Sequence, residues 1–233
     1  RMTAEVNESL HNFELGEAQQ KLYDFIWNDY CDWYIEMAKL RLRSGEGPSP
    51  SPVLAHVLER TLRLLHPFMP FITEEVWQNL KSKLPEEGGL PDSIMMADYP
   101  TADDPRIDPQ AEEEIGLVMQ AIRAVRNTRA QLRIPAGRRL EAQVETNGMQ
   151  GPIEEEAQVI RALSRVDPLH LVAGGSSGKD MPKGVTLVVN PLIIRLPLEG
   201  VVDLAAEQER LRAELADCLK NMDRVEKLVS NPN

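Results

Sequence analysis

Apolar residues recur every three or four positions over most of this chain, and every second position over one shorter stretch. Leu22, Phe25, Ile26, Trp33, Met37 and Leu40 mark the buried face of a long helix predicted from Glu17 to Arg43. Lys39, Arg41 and Arg43 sit at its C-terminal end, where cations oppose the dipole. Residues 1–16 read as the end of a helix and a turn, with Phe13, Leu15 and Gly16 at the break. The run from Ser44 to Pro52 is a loop by composition; Ser51 as cap and Pro52 at the first helical position restart the helix. Leu54, Val57, Leu58, Thr61, Leu62 and Leu65 stripe that helix, and Pro67 must end it near His66. Pro70 opens another, with Thr73 as a candidate cap, Glu74 and Glu75 near the positive end, and Val76, Leu80 and Leu84 as its stripe. Phe68, Phe71 and Trp77 are expected to be buried where these two helices meet. Residues 85–109, rich in Pro, Gly and Asp, form a long connecting loop. A further helix runs from Ala111 to Arg133, with Glu112, Glu113 and Glu114 in its first turn and Ile115, Val118, Met119, Ile122, Val125 and Leu132 as its buried stripe.

After Pro135-Ala136-Gly137 the period changes. Leu140 to Thr146 alternates like a strand, Ile153 to Ser164 reads as a short helix, and 169–173, 185–190 and 192–198 read as strands. Gly174 to Asp180 is a loop between strands: the glycine spacing of a phosphate loop is wrong, and Asp180 stands where Ser or Thr would hold magnesium. From Leu204 the residues Gln208, Leu211, Leu215, Cys218, Met222, Val225 and Val229 alternate spacings of three and four, the seam of a coiled coil that needs a partner. Asn231-Pro232-Asn233 reads as a turn. The fold class is thus mainly α: a helical bundle over 1–139, a small α/β unit over 140–200, and one coiled-coil helix over 201–233.

An apolar share of 42% is that of a globular chain. No apolar run reaches the roughly 18 residues of a membrane span, and residues 1–6 lack the apolar core of a signal peptide. Cys31 and Cys218 lie far apart, outside any zinc or redox spacing, which suggests a reducing compartment. The four histidines are scattered, and neither a catalytic set nor a metal-binding motif is visible. A net charge of −11 argues against indiscriminate binding to phosphate backbones, so any nucleic-acid role must rest on a local basic patch. One exists. Arg123, Arg126, Arg129 and Arg133 fall within about 120° of one another on a helix. Arg138 and Arg139 extend the run, and no acid interrupts it between Arg123 and Leu140. The run is either a solvated helix face or a surface for phosphates and bases, to which planar guanidinium groups are suited.

Three strings carry a resemblance. On its residues alone, His-Pro-Phe-Met-Pro-Phe-Ile-Thr-Glu-Glu-Val-Trp at 66–77 is a helix corner. It also resembles the corner in the anticodon-binding domain of class I aminoacyl-tRNA synthetases for valine, isoleucine and leucine. Asn-Asp-Tyr-Cys-Asp-Trp-Tyr-Ile-Glu at 28–36 and Ala-Ile-Arg-Ala-Val-Arg-Asn-Thr-Arg-Ala-Gln-Leu-Arg-Ile-Pro at 121–135 are similar to the valine version. The resemblance spans essentially the whole chain and implies the C-terminal region of a bacterial, cytoplasmic valyl-tRNA synthetase. It implies that the bundle holds the anticodon of valine tRNA through Arg126, Asn127, Arg129 and Arg133, with Arg123 as a lesser contact. Phe13 is either a stacking platform or a buried side chain. A coiled-coil hairpin would touch the tRNA elbow through residues such as Arg210, Arg212 and Lys220, its returning helix missing here. ATP and magnesium are implied for the full enzyme, whose catalytic domain carries the activation motifs; no cofactor is implied for this chain, which is not expected to charge tRNA alone. Two other readings stand beside this one: the same region of an isoleucine or leucine enzyme, and a helical module that binds protein through its coiled coil.

Overall fold

The computed structural model describes residues 1–45, 47–85, 89–102, 107–173, 184–201 and 204–229. The expected loop at 174–180 and the turn at 231–233 lie outside the described residues. The chain divides into two compact units, Arg1–Asp108 and Pro109–Asn233.

The first unit is helical. It comprises α1 (Met2–His11), α2 (Leu15–Asp24), a π-helical segment (Phe25–Ile35), α3 (Glu36–Ser44), α4 (Ser51–Leu65), α5 (Pro70–Lys81) and a 3₁₀ turn (Ile94–Met96). The predicted long helix is present, but its aromatic middle is wound with the wider i→i+5 pattern. Within that segment Tyr30 and Trp33 are buried, and the Tyr30 hydroxyl donates to the Leu54 carbonyl of α4 at 2.9 Å. Leu15 and Gly16 open α2 and so do not belong to the preceding turn. Ser51 is the first residue of α4, and its N–H is capped by the Ser49 hydroxyl at 3.3 Å.

Apolar clusters among the described residues hold the unit together. Val6, Ala18, Leu22 and Leu64 form one, with Phe68 packed against it; Leu62, Trp77 and Ile94 form another. The corner between α4 and α5 turns where the prolines require it. Thr73 does not cap α5. Its buried hydroxyl donates to the Met69 carbonyl at 2.8 Å and lies 2.7 Å from His66 Nδ1. Phe71 departs from expectation: it is 91% exposed. Thr73 and Trp77 define the inner face of α5, and a residue two positions before Thr73 is rotated about 200° away from it. The connecting loop is pinned to α5, since the Glu74 carboxylate accepts from the Ser93 hydroxyl at 2.9 Å and the Ile94 N–H at 3.0 Å, while Trp77 Nε1–H donates to the Pro91 carbonyl at 3.2 Å.

The second unit comprises α6 (Pro109–Gln131), β1 (Leu140–Glu145), α7 (Gln150–Glu155), α8 (Ala157–Ser164), β2 (Val166–Val172), β3 (Gly184–Val189), β4 (Leu192–Pro197) and α9 (Leu204–Val229). The single helix expected over 153–164 is two, broken at Glu156. The sheet order is β2-β1-β4-β3, with β1 parallel to β2 and the other pairings antiparallel. Leu140, Ala142 and Val144 alternate toward the core, where Ala142 and Val144 gather with Ala121 and Val125 of α6, Ile160 of α8 and Ile194 of β4. Glu145, on the opposite face, is also buried and pairs with Arg195 of the neighbouring strand at 2.9 Å. Along α9 the seam residues Leu215, Met222 and Val225, together with Leu219, are 56–60% exposed.

Candidate nucleic-acid interface

Helix α6 supplies most of the expected contacts. Leu117, Val118, Ala121, Ile122, Val125 and Thr128 are buried, so a core stripe at helical spacing fixes which side faces out. Arg123, Arg126 and Asn127 fall on the outer side and are exposed. Arg126 keeps its orientation through its Nε–H, which donates to the Leu163 carbonyl near the end of α8 at 2.7 Å.

Two of the predicted arginines do not share that face. Arg129 is 6% exposed. Its guanidinium donates to the carbonyls of Pro135 at 3.0 Å, Arg138 at 2.7 Å and Arg165 at 3.4 Å. Burial, and then the adjacent charge of Arg165, push its pKa below the ordinary arginine value. Three carbonyl dipoles hold this cation, so Arg129 acts inside the fold. Arg133 lies past the end of α6, which stops at Gln131. It takes a left-handed φ of 51°. The Arg133 N–H bonds to the Ala130 carbonyl at 3.1 Å and the Ile134 N–H to the Arg129 carbonyl at 2.9 Å, a Schellman closure. The Arg133 side chain is 71% exposed and lies 3.9 Å from Glu214 of α9.

Phe13, in the first unit, has the same local geometry. Phe13 N–H bonds to the Leu10 carbonyl at 3.1 Å and Glu14 N–H to the Ser9 carbonyl at 2.8 Å, placing Phe13 at the left-handed position that closes α1, with φ 61°. Glycine is the usual occupant of such a site because it lacks the Cβ that clashes there. Phe13 is 88% exposed, so the ring is presented outward and not buried. A bulky aromatic held outward in a costly backbone conformation is a reason to look for a ligand.

Arg165 was not among the expected contacts. It closes α8 with φ 57°, and its guanidinium reaches the Ala136 carbonyl. The signal available in the sequence was the lack of Gly or Asn after Ser164, where a helix end would ordinarily carry one. In α9, Arg210 pairs with Glu214 and Arg212 with Glu209 at 3.0 Å, so those bases are partly answered by acids of their own helix. Among the described residues there is no His, Cys, Asp and Glu cluster of metal-binding size, and no helix is long and apolar enough to cross a membrane.

A sequence model described as the anticodon-binding domain of tRNA ligase matches residues 1–145. The chain is 39% identical to a valine–tRNA ligase of Dehalococcoides mccartyi over 231 residues, covering 99% of this chain and 26% of that protein. It is also 39% identical to the valine–tRNA ligase of Oceanobacillus iheyensis, covering 97% of this chain and 25% of that protein. For the valine–tRNA ligase of Bacillus subtilis the identity is 34%, with the same coverage. The chain therefore spans about a quarter of the length of the curated relatives it matches.

Proposed function

The chain belongs to the family of anticodon-binding domains of tRNA ligases, and from that premise we propose that it binds the anticodon of valine tRNA as part of a valine–tRNA ligase. The observation that carries this reading is the family match together with relatives named valine–tRNA ligase that align over nearly the whole chain. The outward face of α6 supports it by offering cations and a side-chain amide to unstacked bases. The contacts proposed are Arg126, Asn127 and Arg133, with Arg123 as a lesser one and Phe13 as a stacking platform; Arg129 supports them from below. The full-length ligase would attach valine with ATP and magnesium through a catalytic domain outside this chain, in the cytoplasm. The seam of α9 would pair with a returning helix to make the tRNA-binding arm, and the division into an anticodon-binding bundle over 1–139, a small α/β unit over 140–200 and the arm remains part of this reading.

The test is fluorescence-anisotropy binding of valine tRNA at low salt, beside the same tRNA with a changed anticodon. The wild-type chain should prefer the valine anticodon, and an Arg126→Ala/Asn127→Ala variant should lose the preference. Arg129 is left unchanged because its substitution would disturb the fold. Equal binding of both tRNAs by folded wild-type chain would refute the assignment.

A further inference from the structure

Basic side chains continue beyond α6. Arg138 and Arg139 lie in the loop before β1, Arg161 on α8, and Arg165 at its end. Hydrogen bonds gather these segments at one corner of the second unit. Buried Arg129 holds the Pro135 and Arg138 carbonyls of the loop and the Arg165 carbonyl beyond α8. The Arg165 guanidinium returns to Ala136, and Arg138 Nη2–H donates to the Gly200 carbonyl. Arg139 donates to the Asp167 carboxylate at 3.4 Å, an exposed ion pair that a phosphate would have to displace or share.

This arrangement differs from an ordinary solvated charge run in two respects. Arg138 and Arg165 bond to neutral carbonyls, which orient a guanidinium without cancelling its charge. Each guanidinium has five N–H donors, so one or two such bonds leave others for a ligand. Second, Arg165 keeps a left-handed backbone at a helix end where glycine would cost less. The chain carries −11 overall, yet these hydrogen bonds bring the loop that bears Arg138 and Arg139 next to Arg165. The chemistry that matches it is the phosphate diester, whose paired oxygens meet a guanidinium fork two at a time.

We propose that Arg138, Arg139 and Arg165, held in place by Arg129, form a second contact with the tRNA that grips backbone phosphates without reading bases. This rests on the reading above that the chain binds tRNA. Arg129 is a positioning residue in this scheme: it touches no RNA and fixes the loop that does.

The experiment compares the wild-type chain with an Arg138→Gln/Arg139→Gln/Arg165→Gly variant, in which glycine suits the left-handed position. Binding of valine tRNA and of the changed-anticodon tRNA is measured by anisotropy from 50 to 200 mM salt, with circular dichroism as the check on folding. Each lost phosphate contact should flatten the slope of log K against log salt by roughly 0.7–0.9, so loss of all three should flatten it by about 2.1–2.7. Both tRNAs should weaken by the same factor, leaving the ratio between them unchanged. An Arg138→Gln/Arg139→Gln variant, altered only at exposed positions, should show about two thirds of the slope change and keeps the test open if the triple variant misfolds. Unchanged affinity and slope in a folded variant overturn the proposal. So does a collapse of the anticodon preference, which would make the corner a base reader. If the wild type fails to distinguish the two tRNAs, the anticodon reading falls while the slope still decides the phosphate contact. Absence of any tRNA binding by the folded wild type overturns both.

Discussion

Arg126 and Arg129 are one helical turn apart and chemically identical, yet one faces out and the other lies under the loop. Removing the buried one breaks three hydrogen bonds and leaves the Arg138 carbonyl without its donor, while the Pro135 and Arg165 carbonyls keep the N–H groups of Arg138 and Leu140. Arg129→Met should therefore cost about 2–4 kcal/mol in urea unfolding, whereas exposed Arg123→Ala should stay within about 0.5 kcal/mol. A loss at Arg129 no larger than at Arg123 would contradict the clasp. Phe13 poses the opposite case. Its left-handed backbone costs about 1–2 kcal/mol for a non-glycine residue, and glycine returns part of that gain as unfolded-state entropy of about 0.5–1 kcal/mol. Phe13→Gly should leave stability unchanged or up to about 1 kcal/mol higher by thermal melting. If the ring stacks on a base, the same change should weaken tRNA binding by about 1–3 kcal/mol. A variant that loses stability and keeps full affinity would mean that the ring serves packing alone.

At the scale of elements, the strongest periodic signals were legible. The corner at Pro67 and Pro70, helix α6 and the four strands lie close to where apolar spacing and proline chemistry put them. What spacing could not show was winding and tethering. The i→i+5 segment keeps an apolar pattern much like that of an α-helix, and the Glu74 bonds to Ser93 and Ile94 join residues about twenty apart through an irregular loop. Likewise helical spacing alone puts Arg129 on one face with Arg123 and Arg126, but its burial depends on a loop that folds back over the helix end. The Glu74 tether has a pH signature. Hydrogen bonds, from Gln78 first, hold its carboxyl below the ordinary glutamate value. A depressed carboxylate contributes stability that is complete above its unfolded pKa and is lost as pH falls through the folded one. The wild-type melting temperature should accordingly drop on acidification below the ordinary glutamate range, and Glu74→Gln should drop less steeply over that window. Parallel curves for the two would rule the tether out. In β3, a Cβ at Gly184 would stand 2.1 Å from the Leu196 carbonyl oxygen of β4. Because that neighbour is backbone, Gly184→Ala should cost about 1–3 kcal/mol in urea unfolding.

Across the whole molecule, coverage differs from helix to helix, and α6 carries a buried stripe where α9 carries an exposed one. Helix α9 exposes Leu215, Leu219, Met222 and Val225 along its length, and an uncovered helix depends on its own marginal propensity. Backbone amides of α9 should exchange with deuterium far faster than those of α6 in dilute solution. Protection of α9 that rises with protein concentration would show that chains pair through the seam. The sheet order has a further consequence, in time rather than energy. Strand β1 is flanked by β2 and β4, and β4 ends at Pro197, about fifty residues after β1 ends at Glu145. At 5–20 residues per second, a ribosome needs roughly 3–10 s to supply that missing neighbour. During this interval Leu140, Ala142 and Val144 have been made, but the strand that completes their sheet has not. The residues matched by the family pattern stop at that same strand, so a fragment ending at residue 145 would hold the nascent chain permanently in that half-built condition.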